Sequence, residues 1–401
     1  MRQALVRQAR WQALRLALGT ASALGLARFA FGLLLPAMRD DLHWSLADAG
    51  TMSAANGLGY LLGALATPVV RRRLGTAATF RWGMVLTAMA LAATAVGGDH
   101  LALLTARAVA GAAGALVFVT GGVIAARIAT GISSGMPIAV YFAGTGLGIV
   151  FGGVTIPTLG DRWQLAWACL SVAAGLAALV SWSAARTDED TPASAAPAGR
   201  RPVRPLRRTA LAYLLFAAGY ITYITFLSAY LADRDAPVSR VAFTWTVLGL
   251  AVMAAPFLWS RPITHWPGSR ALAALLAILA GGAALPLMSP AEPVILASAI
   301  LYGATFMGVP AAVTALIKAT IPPAGWTAAL AAFTTLFAAG QTAGPWLAGL
   351  LADHTSTDAT LAWTAILCAA AALIATIGAR SRLSTAPPTT PLPGGVIETD
   401  A

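Results

Sequence analysis

The sequence predicts an all-α integral membrane protein: twelve transmembrane helices in two pseudo-symmetric six-helix bundles. Composition predicts it first, with 58% hydrophobic and 10% charged residues over 401 positions and a mean hydropathy of +0.75. So few charges cannot clothe an aqueous surface, and the solvent is lipid. Segment length predicts it second, because charges and Pro/Gly clusters divide the chain into apolar runs of about 20 residues, the length that crosses a hydrocarbon core about 30 Å thick. Such runs are helical, since lipid offers backbone N–H and C=O groups no partner. The third observation is an internal repeat that pairs the first six runs with the last six.

The spans run from Gln12 to Ala37, Leu46 to Val70, Ala77 to Val96, Leu101 to Ala125, Pro137 to Thr158 and Trp163 to Ala184 in a first unit, residues 1–185. They resume from Thr209 to Leu231, Val241 to Trp259, Ala271 to Met288, Pro293 to Leu316, Gly325 to Leu351 and Leu361 to Ala379 in a second unit, residues 209–380. Between them, residues 186–208 open with an acidic cluster, pass through a Pro/Ala-rich stretch and end in arginines. This reads as a cytoplasmic linker, either a plain tether or a regulatory or lipid-binding segment. Residues 381–401 read as a disordered tail.

A net charge of +11 would suit a nucleic-acid binder in a soluble domain, so its placement decides its meaning. With the N-terminus cytoplasmic, inner segments hold 20 of the 26 basic residues and the outer loops only Arg39, Arg162, Arg234 and Arg240. Ten of the fifteen acidic residues fall outside. Loops rich in Lys and Arg stay cytoplasmic, so both termini face the cytoplasm, the membrane is the inner or plasma membrane, and nucleic acid is no partner. The basic start and the apolar run behind it are too long for a secretory signal and lack a small-x-small cleavage site. Cys169 and Cys368 each lie in a span without metal-ligand spacing and read as packing residues.

Shifting the chain against itself by 196 residues aligns Gly144, Gly148 and Gly153 with Gly340, Gly344 and Gly349, and Leu165-Ala166-Trp167 with Leu361-Ala362-Trp363. Six helices return the chain to its starting side, so the duplication is parallel. Span five carries Gly144, Gly148, Gly152 and Gly153, and span eleven carries Gly340, Gly344, Pro345 and Gly349. Small residues every fourth position let two backbones approach closely, and Pro345 removes one helical hydrogen bond. These stripes are either sliding surfaces between moving halves or static packing.

Arg28 and Arg107 are the two basic residues left over from the inner segments and outer loops, and both fall inside predicted helices. Arg28 stands near the middle of span one, where an arginine costs about 2.5–3.5 kcal/mol on insertion scales, so it faces a polar cavity or a partner. A cation in a central cavity attracts anions; alternatively its guanidinium bonds helix carbonyls or Tyr and Thr hydroxyls. Arg107 lies roughly 9 Å below the outer edge of span four, either assisting at the site or snorkelling outward. Neutral hydrogen-bonding groups are Asn56 and Tyr60 on span two, Tyr220, Tyr223 and Thr225 on span seven, Tyr302 and Thr305 on span ten, and Gln341 on span eleven. Each is a substrate contact or a packing residue. Trp11, Trp44, Trp163 and Trp326, near span ends, read as interfacial anchors.

No Asp, Glu or His falls well inside a span: His43, His100, His265 and His354 are in or beside loops, and Asp40, Asp41 and Asp48 read as solvated. There is no phosphate loop, no metal cluster and no nucleophile with a placed base, so the sequence predicts no enzyme, cofactor or metal.

Gly135-x8-Gly144-x3-Gly148-Ile149-x2-Gly152-Gly153 resembles the fifth-helix motif of major facilitator exporters, with Ile149 where the family has proline and Pro345 supplying it in the second half. Arg107-x3-Gly111-x2-Gly114-Ala115 resembles the superfamily's fourth-helix motif, implicated there in proton coupling. Gly63 with Val70-Arg71-Arg72-Arg73-Leu74-Gly75 is similar to the loop motif after helix two, without the acidic member that completes its inner charge lock. Gly25-Leu26-Ala27-Arg28-Phe29, Pro36, Gly219-Tyr220-Ile221, Thr225-Phe226-Leu227 and Gly340-Gln341 with Gly344-Pro345 resemble the poorly characterised YbfB/YjiJ-like branch, over most of the chain.

That resemblance implies a secondary transporter working by rocker-switch alternating access, with helices one, four, seven and ten around a central cavity. Joined to the charge argument, the expected cargo is a small organic anion or carboxylate. Arg28 would bind its negative group, and Arg107, Asn56, Tyr220, Tyr223, Tyr302 and Gln341 would surround it. The glycine stripes and Pro345 would carry the rocking, in a monomer coupled to protons. The alternatives are a proton-coupled exporter of amphipathic drugs and, in another class, a membrane receptor or assembly protein.

Overall fold

The structure, a computed structural model, describes residues 2–185 and 206–383, and among them the chain is helices joined by short turns. The first half holds α1 (Gln3–Leu42), α2 (Leu46–Leu74), α3 (Thr76–Val96), α4 (His100–Gly131), α5 (Met136–Leu159) and α6 (Trp163–Ser181). The second holds α7 (Arg207–Ala232), α8 (Val238–His265), α9 (Arg270–Met288), α10 (Glu292–Thr320), α11 (Trp326–Asp353) and α12 (Asp358–Leu383). Eleven of these are long and apolar enough to cross a membrane. The other, α11, has the length at 28 residues but is diluted by Gln341, Pro345 and several threonines. Of the expected linker, residues 186–205 lie outside the described residues, while Arg207 and Arg208 already belong to α7. Of the expected tail, residues 384–401 lie outside them, and residues 381–383 continue α12 rather than leaving it.

Local chemistry sets the helix starts. Ser45 and Asp48 form a reciprocal capping box at α2, and the Asp99 side chain accepts the Ala102 N–H at α4. Pro137 and Pro293 stand in first turns, where a missing N–H costs nothing. Gly75, at φ 80, ends α2 in a conformation that a side chain would resist. Inside α1, Ala21–Phe29 is π-helical, a nine-residue widening that leaves carbonyls displaced from their usual partners.

Packing follows the repeat. Within the first half α2 packs on α4, α1 on α5 and α3 on α4 and α6; within the second, α8 packs on α10, α7 on α11 and α9 on α10 and α12. The Cβ-less faces correspond too: Gly144 and Gly148 approach Ala17 and Ala21 of α1, as Gly340 and Gly344 approach Leu214 and Ala218 of α7. Between halves, α2 meets α11, α5 meets α8, and α1 meets α7.

The periphery is apolar, with Val96, Met89, Leu179, Met288, Ile366 and Leu373 each more than half exposed. On a soluble protein such a surface would aggregate; here it faces acyl chains. Two of the expected interfacial tryptophans are instead buried. Trp163 donates to Asp41 at 2.8 Å and is 1% exposed, and Trp44 packs edge-on against His100. Both close the ends of neighbouring helices, whereas Trp11 is exposed as an anchor would be.

Candidate functional site

α1 and α7 are buried along most of their length because each lies between its own bundle and the other half. That position delivers Arg28 to the centre. Its side chain is buried, and Nη2 donates to Gln341 Oε1 of α11 at 2.5 Å. Tyr60, Phe29 and Tyr220 surround it, with ring centroids 5.5, 6.0 and 6.0 Å from the guanidinium carbon. Such faces attract a cation without neutralising it. Arg28 Nε has no hydrogen-bond partner. Among the described residues every carboxylate lies at a helix end or in a turn, so the central charge has no acidic counterpart there.

Gln341 is fully buried and committed three ways. Oε1 also takes the Tyr220 hydroxyl at 3.3 Å, and Nε2 donates to the Gly57 carbonyl of α2 at 3.3 Å. Arg28, Tyr220 and Gln341 are thus the predicted site residues that converge on one point.

Arg107 does not snorkel. It is 1% exposed, and Nη1 donates to the Ala27 carbonyl at 2.5 Å, a group belonging to the π-helical stretch. Phe31 and Trp167 flank it, centroids 4.8 and 5.5 Å away, and its Nε too is unpartnered. The helix-carbonyl contact considered for Arg28 is therefore made by Arg107 of α4, to Ala27, the residue before Arg28 on α1. Asn56 donates to the Arg107 carbonyl at 3.1 Å, tying α2 to α4.

Tyr223 and Tyr302 stack on each other at 3.9 Å inside the second half. Their hydroxyls are spent there, Tyr223 with Ser298 Oγ and Tyr302 with the Tyr220 carbonyl. They extend an aromatic wall through Tyr220, Phe306, Phe216, Phe337 and Tyr213, which Phe29 touches edge-on across the halves at 5.7 Å. Sequence reading missed Phe216, Phe306 and Phe337. The signal was present on α7, where Tyr213, Phe216, Tyr220 and Tyr223 recur at helical spacing on one face.

The glycine stripe divides between two jobs. Gly144 and Gly148 pack inside the first half, and Gly340 and Gly344 inside the second, while Gly152 makes only ordinary contacts. The faces between halves are built from Gly146 on Gly249, Gly153 on Trp245 and Thr246, Gly349 on Leu46, and the Pro345 carbonyl on Gly50. Of the residues expected to carry rocking, Gly153 and Pro345 lie on an inter-half face.

The polar contacts described between halves run from Gln341 and Gly57 outward: Ser53 with Thr225 at 2.9 Å, Asp353 with the Leu46 and Ala47 N–H groups, and Arg39 with Asp233 at 3.8 Å. They seal the face that carries the turns after α1, α7 and α11.

Among solved structures, this chain matches a mutant of the nucleoside transporter NupG with a TM-score of 0.68 at 14% identity, covering 94% of this chain and 99% of that one. A bacterial homologue of the human lysosomal transporter Spinster, in an inward-facing and unoccupied conformation, matches with a TM-score of 0.63 at 14% identity over 92% and 96% of the two chains. In sequence the chain is 25% identical to a chloramphenicol resistance protein of Streptomyces lividans over 385 residues, 91% of this chain and 95% of that protein. The family model described as the uncharacterised MFS-type transporter YbfB matches residues 20–380. An all-helical fold of internally repeated halves around two buried arginines, neither with a carboxylate partner among the described residues, thus meets a family match spanning nearly the whole chain, and the protein belongs to the YbfB family of major facilitator transporters.

Proposed function

We propose that this transporter moves a small organic anion, with the negative group bound by Arg28 and the apolar body resting on the aromatic wall of the second half. The observation that carries the reading is the state of Arg28: buried, near the centre, holding only a neutral amide and leaving Nε unpartnered. A guanidinium offers paired donors that fit a carboxylate in bidentate fashion, and one desolvated without a counter-ion favours an arriving anion. The halves exchange access by rocking on the small-residue faces around Gly146, Gly153 and Pro345. Both termini are cytoplasmic in the inner or plasma membrane, as the placement of Lys and Arg supports, and the whole site lies in one chain, which works as a monomer. Because the described carboxylates all lie at helix ends or in turns, a coupling proton rides on the substrate's own carboxylate or acts through a change in arginine pairing.

The test is a thermal-shift screen of purified protein against small carboxylates, phosphates, neutral solutes and cationic drugs, with Arg28→Gln in parallel. Stabilisation by one anion class that vanishes in the variant is the expected result. Cations stabilising both proteins equally would refute it.

A second reading is export of amphipathic drugs. The chloramphenicol resistance relative and the fifth-span glycine pattern favour it. Raised drug resistance on overexpression, unaffected by Arg28→Gln, would select this reading over the first.

A further inference from the structure

Gln341 makes three hydrogen bonds, and two of them cross between the halves. Arg28 and Gly57 belong to α1 and α2 of the first half, Tyr220 to α7 of the second, and one buried amide joins them. The amide oxygen sits on Arg28 at 2.5 Å, where an anion's oxygen would sit. It is a poorer partner than an anion. A neutral amide oxygen brings no negative charge to offset the guanidinium, and it satisfies one donor where a carboxylate takes two. The unpartnered Nε is the donor left over.

We propose that Gln341 is a built-in stand-in for the substrate's anionic group. In the empty protein it occupies Arg28 and, through Gly57, holds the halves together at mid-membrane. An anion that takes Arg28 displaces the Gln341 oxygen, and the contact between halves goes with it. Binding is thereby linked to release of the central lock, and a solute without a negative group cannot compete for Arg28 and leaves the lock shut. This inference rests on the anion reading of Arg28.

The ligand-free protein tests it. Ser53, 7% exposed and bonded to Thr225 across the halves, lies on the sealed side of the lock. Its cysteine variant, Ser53→Cys, in a background with Cys169 and Cys368 replaced by alanine, reports opening of that face through its rate of reaction with a maleimide. Gln341→Ala should speed labelling about fivefold, and Gln341→Glu should slow it about fivefold, because the ion pair a carboxylate makes with Arg28 outweighs the Gly57 hydrogen bond, whose N–H donor the substitution removes. A residue that merely fills space predicts that both substitutions speed labelling. Faster labelling in Gln341→Glu, or no change in either variant, overturns the stand-in while leaving the anion reading untouched. Independently, benzoate is added to the wild type, Arg28→Gln and Gln341→Glu in a thermal-shift assay. Stabilisation of the wild type alone is expected. Stabilisation that survives in Arg28→Gln overturns the anion reading and the stand-in with it, and stabilisation that survives only in Gln341→Glu overturns the stand-in.

Discussion

The carboxylate of Asp353, at the end of α11, receives the Leu46 N–H at 2.7 Å and the neighbouring Ala47 N–H at 2.9 Å, at the start of α2. The first turn of α2 has free N–H groups and the positive end of a helix dipole, so one half of the molecule caps a helix of the other. Arg39 and Asp233, the other ionic contact between halves on this face, are 3.8 Å apart and partly exposed. Asp353→Ala should therefore weaken closure by about 1 kcal/mol, and Arg39→Ala by less than about 0.5 kcal/mol. Labelling of Ser53→Cys checks both: a several-fold rise with the first and little change with the second. Equal effects would mean that the cap does not hold this face.

Neighbouring glycines of α5 should differ sharply. A Cβ at Gly144 would meet the Ala17 carbonyl oxygen and lie 2.5 Å from Thr20 Oγ1, with α1 unable to retreat because its other faces are packed. At Gly152 the nearest atoms would be 3.5 Å away. Gly144→Ala should cost about 2 kcal/mol or more through overpacking, and Gly152→Ala less than about 0.5 kcal/mol. Melting temperatures in detergent measure the difference. Equal melting points would show that the α1–α5 contact yields more easily than its geometry implies.

Much of this architecture was legible because lipid makes certain residues costly. A central arginine is expensive enough that Arg28 singles out a candidate site from sequence alone, and twelve apolar runs follow from length. What Arg28 touches was not legible. Its partner is 313 positions away, placed by the packing of two halves rather than by any local pattern. The stripe of α5 was visible, but its division was not, because a lipid-facing, bundle-facing and partner-facing helix surface are all built from the same small and apolar residues. Trp163 misled for a related reason. At a span end a tryptophan looks alike whether it meets headgroups or, as here, Asp41 at the end of α1.

Arg107 separates positioning from binding. Its guanidinium lies between Phe31 and Trp167 and caps the Ala27 carbonyl, next to Arg28. A planar group fits that slot, and the compact ammonium of lysine does not stack in the same way. Arg107→Lys should lower the melting temperature, and Arg107→Ala further, by about 3 kcal/mol, as a buried carbonyl loses its partner and a cavity opens. Were Arg107 a direct ligand held by charge alone, lysine would preserve both stability and the response to anions. Melting curves with and without carboxylates tell the two apart.

Tyr220 and Tyr223 are three residues apart on α7 and should respond oppositely to loss of the hydroxyl. The Tyr223 hydroxyl is 2.7 Å from Ser298 Oγ, and that Oγ donates to the Gly282 carbonyl at 2.6 Å. Tyr223 is therefore the donor in its pair, and its hydroxyl serves the contact of α7 with α10 and α9. Tyr220 reaches Gln341 Oε1 at 3.3 Å, a longer bond to the residue that occupies Arg28. Tyr223→Phe should cost about 1 kcal/mol of stability with anion affinity intact. Tyr220→Phe should leave the melting temperature nearly unchanged and raise anion affinity, because the Gln341 oxygen is then held by one donor fewer and yields Arg28 more readily. A thermal shift for each variant across a carboxylate titration reads both quantities at once. A large stability loss in Tyr220→Phe would move Tyr220 from the site to the scaffold.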